Sequence, residues 1–343
     1  MITKGIKQKR LIIEKADRER VTAKLAELRL TVHEDVCDDL DMALLEVDTL
    51  PEGIDDVIGL IKRLDDMFDP AVETKPSLVP DLDAVLGFPQ HKGVKAPADT
   101  PETFEIPDSG AGAGVRVGIV DTAILPHRLL PPDIVHRDKE VLPESVTEDL
   151  ENMAGHGTFV AGLIRRAAPG AVLHVRAGLN TWLEYTSTWE VAKAIASFQH
   201  VEIDILNLAL GCTTDTGKPP AVISRALDKI PSTVMVIAAA GNRELQPVPS
   251  GQIWPGAMDR VIAVGDPDAN YSMHKEWVDY VVDGVDQVST HRDNGFKSWS
   301  GTSFSAAKLT GMVAARMGDG LSADDALAFL VTHGLVKRYG RDA

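Results

Sequence analysis

Ser303 is the residue of this sequence whose surroundings point most directly to chemistry. It follows Gly301 and Thr302 in the chain. Behind it, apolar residues recur at helical spacing and predict a helix that begins near Ser303, at Ala306, Leu309, Val313 and Met317. A helix start offers unpaired backbone N–H groups and a partial positive charge, which stabilise a developing oxyanion. The pattern predicts a nucleophile, although serine and threonine are also the commonest helix caps and the motif alone fits both interpretations.

Composition and charge narrow the class of protein. The 343 residues are 44% hydrophobic and 25% charged, as in ordinary globular proteins. The formal net charge of −16 argues against nucleic acid as a partner, because phosphate contacts need clustered lysine and arginine. The first apolar run, residues 11–13, is too short for a signal peptide, and no stretch could span a bilayer. We therefore expect a cytoplasmic protein without a membrane partner, unless a leader was removed. Cys37 and Cys212 predict free thiols and no disulfide framework.

Residues 1–80 have a pattern of their own. Periodicity predicts strands over 10–14, 31–36, 42–47 and 71–79, and helices over 17–30 and 54–67. The order β-α-β-β-α-β is the ferredoxin-like arrangement of a small α+β domain. A domain of this size is near the lower limit for independent stability, so we expect it to gain stability from a partner surface. Residues 81–113, rich in Pro, Gly, Ala and Asp, predict a linker and an entry segment exposed to proteolysis.

Residues 114–343 alternate between strand and helix signals. Short apolar runs predict buried parallel strands over 115–120, 172–175, 203–210, 233–240 and 261–264. Helical patterns lie between them, over 156–166, 188–198 and 220–229. This alternation predicts an α/β domain with a doubly wound, mainly parallel sheet and helices on both faces. Active sites of such sheets lie at the carboxyl ends of strands. Asp121 ends one predicted strand and Asn242 lies just past another.

Four short motifs give these polar residues a common context. Asp121 lies in Val-Gly-Ile-Val-Asp-Thr, His156 in Gly-His-Gly-Thr, Asn242 in Ala-Ala-Ala-Gly-Asn and Ser303 in Gly-Thr-Ser. A cap, a turn or a packed histidine would explain each residue alone, but those explanations do not predict all four motifs in the order Asp, His, Ser. Over residues 110–330 the chain resembles the subtilisin-like serine proteases, the subtilases. Residues 254–265 are similar to the family segment that leads into a core strand.

The resemblance implies a serine endopeptidase that hydrolyses peptide bonds through an Asp-His-Ser triad and an acyl-enzyme. His156 would be the general base for Ser303, and Asp121 would hold the imidazole. The side-chain amide of Asn242 and the N–H of Ser303 would stabilise the oxyanion. Three positions depart from the family pattern without removing a catalytic group: Ala123, Phe159 and Ala307. No cofactor or metal is expected, since residues 126–129 replace the acidic calcium ligand of many relatives.

The resemblance also implies where a protein or peptide substrate would bind. One wall of the specificity pocket would be Ala209, Leu210 and Gly211, and the opposite wall would be Ala239, Ala240 and Gly241. The peptide would be added as a strand at an edge near residues 181–186. An ordinary core strand and loop is the alternative for these stretches.

Subtilases commonly carry a β-α-β-β-α-β prodomain, and the resemblance implies that residues 1–80 are one. The N-terminal domain would then be an intramolecular inhibitor and folding chaperone of a self-processing zymogen, cut between residues 79 and 110. A template makes physical sense because parallel sheets fold slowly. Two alternatives stay open. One is a catalytically idle subtilase fold that serves as a binding or regulatory module, and the other is a protease dedicated to maturing one partner peptide.

Overall fold

The structure, a computed structural model, describes most of the chain in ten stretches. These are residues 6–71, 74–85, 98–100, 103–138, 152–179, 185–214, 216–242, 251–268, 272 and 276–341. Within them lie an N-terminal unit (residues 6–85) and a C-terminal unit (residues 98–341). Among the helices in these stretches, none has the length and hydropathy that crossing a membrane requires.

The N-terminal unit is an antiparallel sheet with two helices packed on one face. Its strands and helices are β1 (Ile6–Glu14), α1 (Arg18–Glu27), β2 (Val32–Cys37), β3 (Met42–Val47), α2 (Val57–Met67) and β4 (Leu78–Val85). The strand order is β2-β3-β1-β4. Side chains of β1 alternate between two environments, as the pleat requires. Leu11 and Ile13 pack with both helices, whereas Ile12 packs with residues of the C-terminal unit.

The C-terminal unit is built on an eight-stranded sheet. Its strands are β5 (Ala98–Asp99), β6 (Arg116–Asp121), β7 (Val135–Arg137), β8 (Val172–Ala177), β9 (Tyr185–Ser187), β10 (Ile205–Leu208), β11 (Met235–Ala239), β12 (Val261–Gly265), β13 (Tyr280–Val281), β14 (Gln287–Thr290), β15 (Phe296–Trp299) and β16 (Lys337–Arg338). Its helices are α3 (His156–Ala167), α4 (Thr188–Ala196), α5 (Ala221–Asp228), α6 (Thr302–Gly318) and α7 (Ala323–Thr332). The main sheet has the order β16-β13-β12-β11-β10-β6-β8-β7, and a small sheet has the order β14-β15-β5.

The main sheet is parallel except for its edge strand β16, which pairs antiparallel with β13. Helices α3, α6 and α7 share one core cluster with alternate strand residues such as Ile119. Helices α4 and α5 share the other cluster, with Val120. Successive residues of β6 therefore face opposite layers of helices, which confirms the predicted doubly wound α/β fold.

Strand β4 differs from its prediction. It was expected over 71–79, with a linker from residue 81, but it runs from Leu78 to Val85. Composition was misleading here, because Pro80 and Asp81 are poor strand residues. The strand forms because it has a neighbour on both sides. Leu78 pairs with Ile13 of β1, and Val85 pairs antiparallel with Tyr185 of β9 in the C-terminal unit.

Candidate active site

Asp121 and His156 form a buried pair at the carboxyl end of β6. The imidazole Nδ1 lies 2.8 Å from Oδ1 and 2.9 Å from Oδ2 of Asp121. Side-chain exposure is 0% for Asp121 and 1% for His156. A carboxylate at Nδ1 fixes the tautomer in which Nε2 can accept a proton, and it stabilises the imidazolium that results.

The backbone around this pair is held by Thr122. Its hydroxyl accepts a hydrogen bond from the N–H of Gly157 at 2.9 Å, and its own N–H donates to Asp121 Oδ1 at 2.7 Å. A Cβ at Gly157 would lie 2.4 Å from the carbonyl oxygen of Thr122. Glycine is therefore required at this position, because it lets the first turn of α3 approach the end of β6.

Ser303 lies in the first turn of α6, as predicted from the apolar spacing. Its side chain is buried, and its hydroxyl donates to the carbonyl oxygen of Ala209 at 2.9 Å. A hydroxyl has one proton, so in this structure the proton is not directed to His156. The imidazole is nearby, since its ring centroid lies 5.5 Å from that of the next residue, Phe304. Proton transfer to the imidazole therefore requires the hydroxyl to turn from Ala209 towards His156.

Asn242 is tied to the same helix start. Its Oδ1 accepts from the N–H of Thr302 at 2.9 Å and from the Thr302 hydroxyl at 3.1 Å. The same hydroxyl oxygen accepts from the N–H of Gly241 at 3.1 Å. A carboxamide has one acceptor end and one donor end. Because Thr302 engages the acceptor end, the amide nitrogen of Asn242 is turned away from Thr302.

Aromatic rings pack beside the imidazole on the side that faces the core. Phe159, Trp299 and Phe304 contact one another, with ring centroids 4.5 to 5.6 Å apart. Trp299 and Phe304 each lie 5.5 Å from the ring of His156. All three are at most 2% exposed. The cluster excludes water from the buried pair, and a low local dielectric strengthens its electrostatic interaction.

The predicted pocket residues flank the nucleophile. Ala209, Leu210 and Gly211 continue from β10, and Ala239, Ala240 and Gly241 from the end of β11, which is the next strand of the sheet. The side chains among them are buried, at 0–4% exposure. Of the predicted substrate edge at 181–186, residues 181–184 lie outside the described residues, and the rest belongs to β9.

Sequence reasoning missed several residues of this site. Thr302 belongs to the Gly-Thr-Ser motif and has no predicted role, yet it orients Asn242. Phe304 and Trp299 enclose the imidazole, and Ile253 lies between the two predicted pocket walls. A helix-cap threonine and buried aromatic residues carry no distinctive sequence signal. Cys212, beside the pocket wall, is a buried thiol whose pKa burial raises to about 12.

Together these groups can perform acyl transfer. Such a reaction needs a hydroxyl nucleophile, a base oriented by a carboxylate, and N–H donors for the oxyanion. The first N–H groups of an α-helix have no partner within the helix, which leaves the N–H of Ser303 suited to the last role. Among the described residues, no group of three or more His, Cys, Asp or Glu side chains could hold a metal ion.

Comparisons with known proteins agree with this chemistry. The model of the subtilase family matches residues 112–332. Over 219 residues, 59% of this chain, it is 31% identical to the thermophilic serine proteinase of Bacillus sp. (strain AK1) and covers 52% of that protein. Over 219 residues it is 30% identical to subtilisin DY of Bacillus licheniformis, with 59% of this chain and 76% of that one covered. The chain thus spans about half the length of the first of these relatives.

A solved structure is similar over nearly the whole chain. Fervidolysin from Fervidobacterium pennivorans matches with a TM-score of 0.66 and 16% identity, over 94% of this chain and 57% of that one. At this identity the likeness concerns the fold.

Proposed function

The chain belongs to the subtilase family, and we propose that it is a serine endopeptidase that hydrolyses peptide bonds in a protein or peptide substrate. The observation that carries the proposal is the buried pair, with His156 Nδ1 at 2.8 Å from Asp121 and Ser303 at the nearby start of α6. A buried carboxylate is costly unless it is paired, and here it is paired with the one group that a hydrolytic serine requires.

In the proposed reaction, the Ser303 hydroxyl first rotates from Ala209 towards His156. Its proton passes to Nε2 of the imidazole as Oγ bonds to the scissile carbonyl carbon. The carbonyl oxygen becomes an oxyanion between the amide of Asn242 and the N–H of Ser303. The C–N bond then breaks, and the leaving amine takes the proton from Nε2. Water repeats the sequence on the acyl-enzyme and restores the serine.

We further propose that the N-terminal unit is a prodomain that keeps the chain latent. Strand β4 pairs with β9, the edge at which a peptide substrate would be added. Asp83 pairs with Ser187 and Val85 with Tyr185, so the ladder hydrogen bonds of this edge are already used. A substrate strand would have to displace β4.

The N-terminal unit is also attached to helix α4 by a buried carboxylate. Asp81, which is 0% exposed, accepts from the Thr188 hydroxyl at 3.0 Å and from the Trp189 N–H at 3.1 Å. It pairs with Arg10 of β1 at 3.1 Å. The carboxylate therefore satisfies donors of the α4 N-terminus, where negative charge is favoured.

Opposite charges surround this contact. Carboxylates of the N-terminal unit pair with basic side chains of the C-terminal unit: Glu14 with Arg225, Asp35 with Lys193, Asp39 with His200 and Asp41 with Lys229. The Lys229 hydrogen bond lowers the pKa of Asp41. Exposed pairs of this kind are individually weak, and they set orientation and salt dependence more than affinity.

The self-processing cut would lie between β4 and β5. β4 ends at Val85, and Ala98 of β5 pairs with Ser298 of β15, close to the nucleophile in the chain. The strands at both ends of the segment 86–97 thus pair with strands of the C-terminal unit, β9 and β15. We propose that the cut lies in this segment, which narrows the range of 79–110 expected from the sequence.

The test compares the masses of purified wild type, Ser303→Ala and the matched control Ser305→Ala, which changes a buried serine one position past Phe304. Wild type and Ser305→Ala should lose the N-terminal unit and react with a fluorophosphonate at Ser303, whereas Ser303→Ala should stay full length and unlabelled. A wild type that folds but gives no adduct would favour the idle binding module.

A proteome-wide cleavage profile would separate broad use from a dedicated maturation protease.

A further inference from the structure

The ends of β10 and β11 both contact the start of α6, which carries the nucleophile, and we name the space between these two strand ends the slot. The two strands are paired in parallel up to Leu208 and Ala238. Beyond that point, the Ala209 carbonyl accepts the Ser303 hydroxyl on one side. On the other side, Asn242 directly follows Gly241. In the proposed reaction the scissile carbonyl lies between Ser303 and Asn242, and we expect the side chain of the residue before that bond to lie between these two strand ends.

Ile253 occupies the inner end of this slot. A Cβ at Gly211 would lie 2.5 Å from its Cγ2, and a Cβ at Gly241 would lie 2.7 Å from its Cγ1. Contacts below 3 Å do not occur between real atoms of this kind, so one isoleucine side chain fills the space against both glycine backbones. It is 1% exposed.

The segment that carries Ile253 is firmly held. Cys212 and Trp254 exchange both backbone hydrogen bonds, at 2.8 and 2.9 Å. The carbonyl of Ile253 accepts from the N–H of Ala257 at 2.8 Å. A Cβ at Gly256 would lie 2.8 Å from the Ala239 carbonyl oxygen, so this turn is packed against the second wall. Ile253 is thus a fixed floor, since its backbone is attached to both walls.

We propose that Ile253 determines specificity by closing the bottom of the slot, so that the protein cleaves after small residues such as glycine, alanine and serine. This inference rests on the proposed endopeptidase function and adds the class of its substrates. A larger side chain would have to leave the slot or displace a buried isoleucine. One methylene in an apolar pocket changes selectivity by roughly 10- to 200-fold. Exclusion of a whole phenyl ring should therefore change selectivity by more than a single methylene does.

The test uses two tripeptidyl diphenyl phosphonates that differ only in the residue before phosphorus, alanine or phenylalanine. Attack by the Ser303 hydroxyl forms a P–O bond and breaks the bond from phosphorus to one phenoxy group, which leaves with the serine proton as phenol. Intact mass gives the rate of adduct formation. Self-processed wild type should react at least about 100-fold faster with the alanine probe. Ile253→Ala should raise the rate of the phenylalanine probe at least about 10-fold and change the alanine probe less than about threefold.

Two further variants keep the test decisive. Ile253→Val removes one methyl group, is easier to fold, and should give a smaller gain in the same direction. Ile237→Val makes the same change at a fully buried position of β11 away from the slot, and the ratio of the two probe rates should stay at the wild-type value. A wild type that prefers phenylalanine, or an unchanged ratio in folded Ile253 variants, would overturn the inference.

The chain's own cut provides a second readout. The small residues of segment 86–97 are Gly87, Gly93 and Ala96. N-terminal sequencing of self-processed protein should place the cut after one of them, and a cut after Phe88 or Lys95 would contradict the narrow slot. Failure of a small fluorophosphonate, which needs no slot, to label Ser303 would instead contradict the proposed function.

Discussion

Replacement of Asp81 tests the proposed docking of the N-terminal unit at its most buried point. Asp81→Ala, made in Ser303→Ala so that the chain stays intact, removes the acceptor of the Thr188 hydroxyl and the Trp189 N–H. It also removes one ion-pair partner of Arg10. The buried Trp189 N–H would then lose its side-chain acceptor whenever the unit is docked.

The expected cost follows from burial. Removing one partner of a buried, hydrogen-bonded charge pair costs about 3–5 kcal/mol. Arg10 is also near Glu46, at 3.7 Å, which places the estimate towards the lower end of that range. Because about 1.36 kcal/mol changes an equilibrium constant tenfold, the population of the undocked state should rise roughly a hundredfold or more.

Hydrogen exchange measures this population. Amides of β9 and α4 should exchange faster in Asp81→Ala by about that factor, and β3 amides report whether the N-terminal unit itself stays folded. Asp55→Ala, which removes an exposed carboxylate of the same unit, should leave exchange unchanged. Equal protection in Asp81→Ala and Asp55→Ala would refute the docking role of Asp81.

Asp81→Asn separates hydrogen bonding from charge. Burial raises the pKa of Asp81, and Arg10 opposes this only in part. A carboxyl whose pKa is higher when docked takes up a proton on docking. Falling pH therefore favours docking between the raised value and the ordinary value of 3.8. Asp81→Asn keeps the acceptor oxygen and should weaken docking far less than Asp81→Ala does. As pH falls through this window, docking of wild type should become more favourable relative to docking of Asp81→Asn. An asparagine as damaging as alanine would mean that charge, and not capping, dominates.

Three further predictions concern the C-terminal unit. Asn242→Ala should lower kcat by about 10²- to 10³-fold with KM changed less than about threefold, and a loss below tenfold in steady-state assays would place the oxyanion elsewhere. Gly157→Ala would put a Cβ 2.4 Å from the Thr122 carbonyl oxygen, so we expect about 1–3 kcal/mol of destabilisation in denaturant titrations and reduced activity. A denaturation midpoint of Gly157→Ala equal to that of wild type would contradict that close packing. Burial raises the pKa of Cys212 to about 12, so with the other cysteine replaced, alkylation by iodoacetamide at pH 8 should be about 10³-fold slower than that of a free thiol. Rates within tenfold of a free thiol would show that the site opens.

Sequence patterns predicted a strand or helix well where its bounds depend on residues close to it in the chain. Strand β3 has the predicted bounds, 42–47. Helix α2 was predicted from residue 54 but begins at Val57, because the Asp56 side chain caps it by accepting from Gly59 N–H at 2.8 Å. Ile54 has the helical spacing because it packs on the same core just before the helix starts.

Tertiary hydrogen bonds determined what local patterns missed. Strand β14 was not predicted, since it contains polar residues that look like a loop. In the structure, Ser289 donates to the Phe159 carbonyl at 2.8 Å and Thr290 donates to the Thr158 carbonyl at 2.7 Å. These hydroxyls attach the small sheet to helix α3, and their partners are about 130 residues away in sequence. No local periodicity carries that information.

The same distinction explains why the candidate catalytic residues could be predicted while the slot could not. Each candidate catalytic residue is of a type that the proposed chemistry requires, and each lies at a strand end or helix start that a short motif marks. The depth of the slot depends on which side chain the segment 251–257 brings between two glycines, and that is determined by the backbone bridge between Cys212 and Trp254. A shift of one residue in that bridge would replace Ile253 with a neighbour and change the floor without altering any motif. The proposed specificity is therefore a property of backbone register, which depends on the three-dimensional structure.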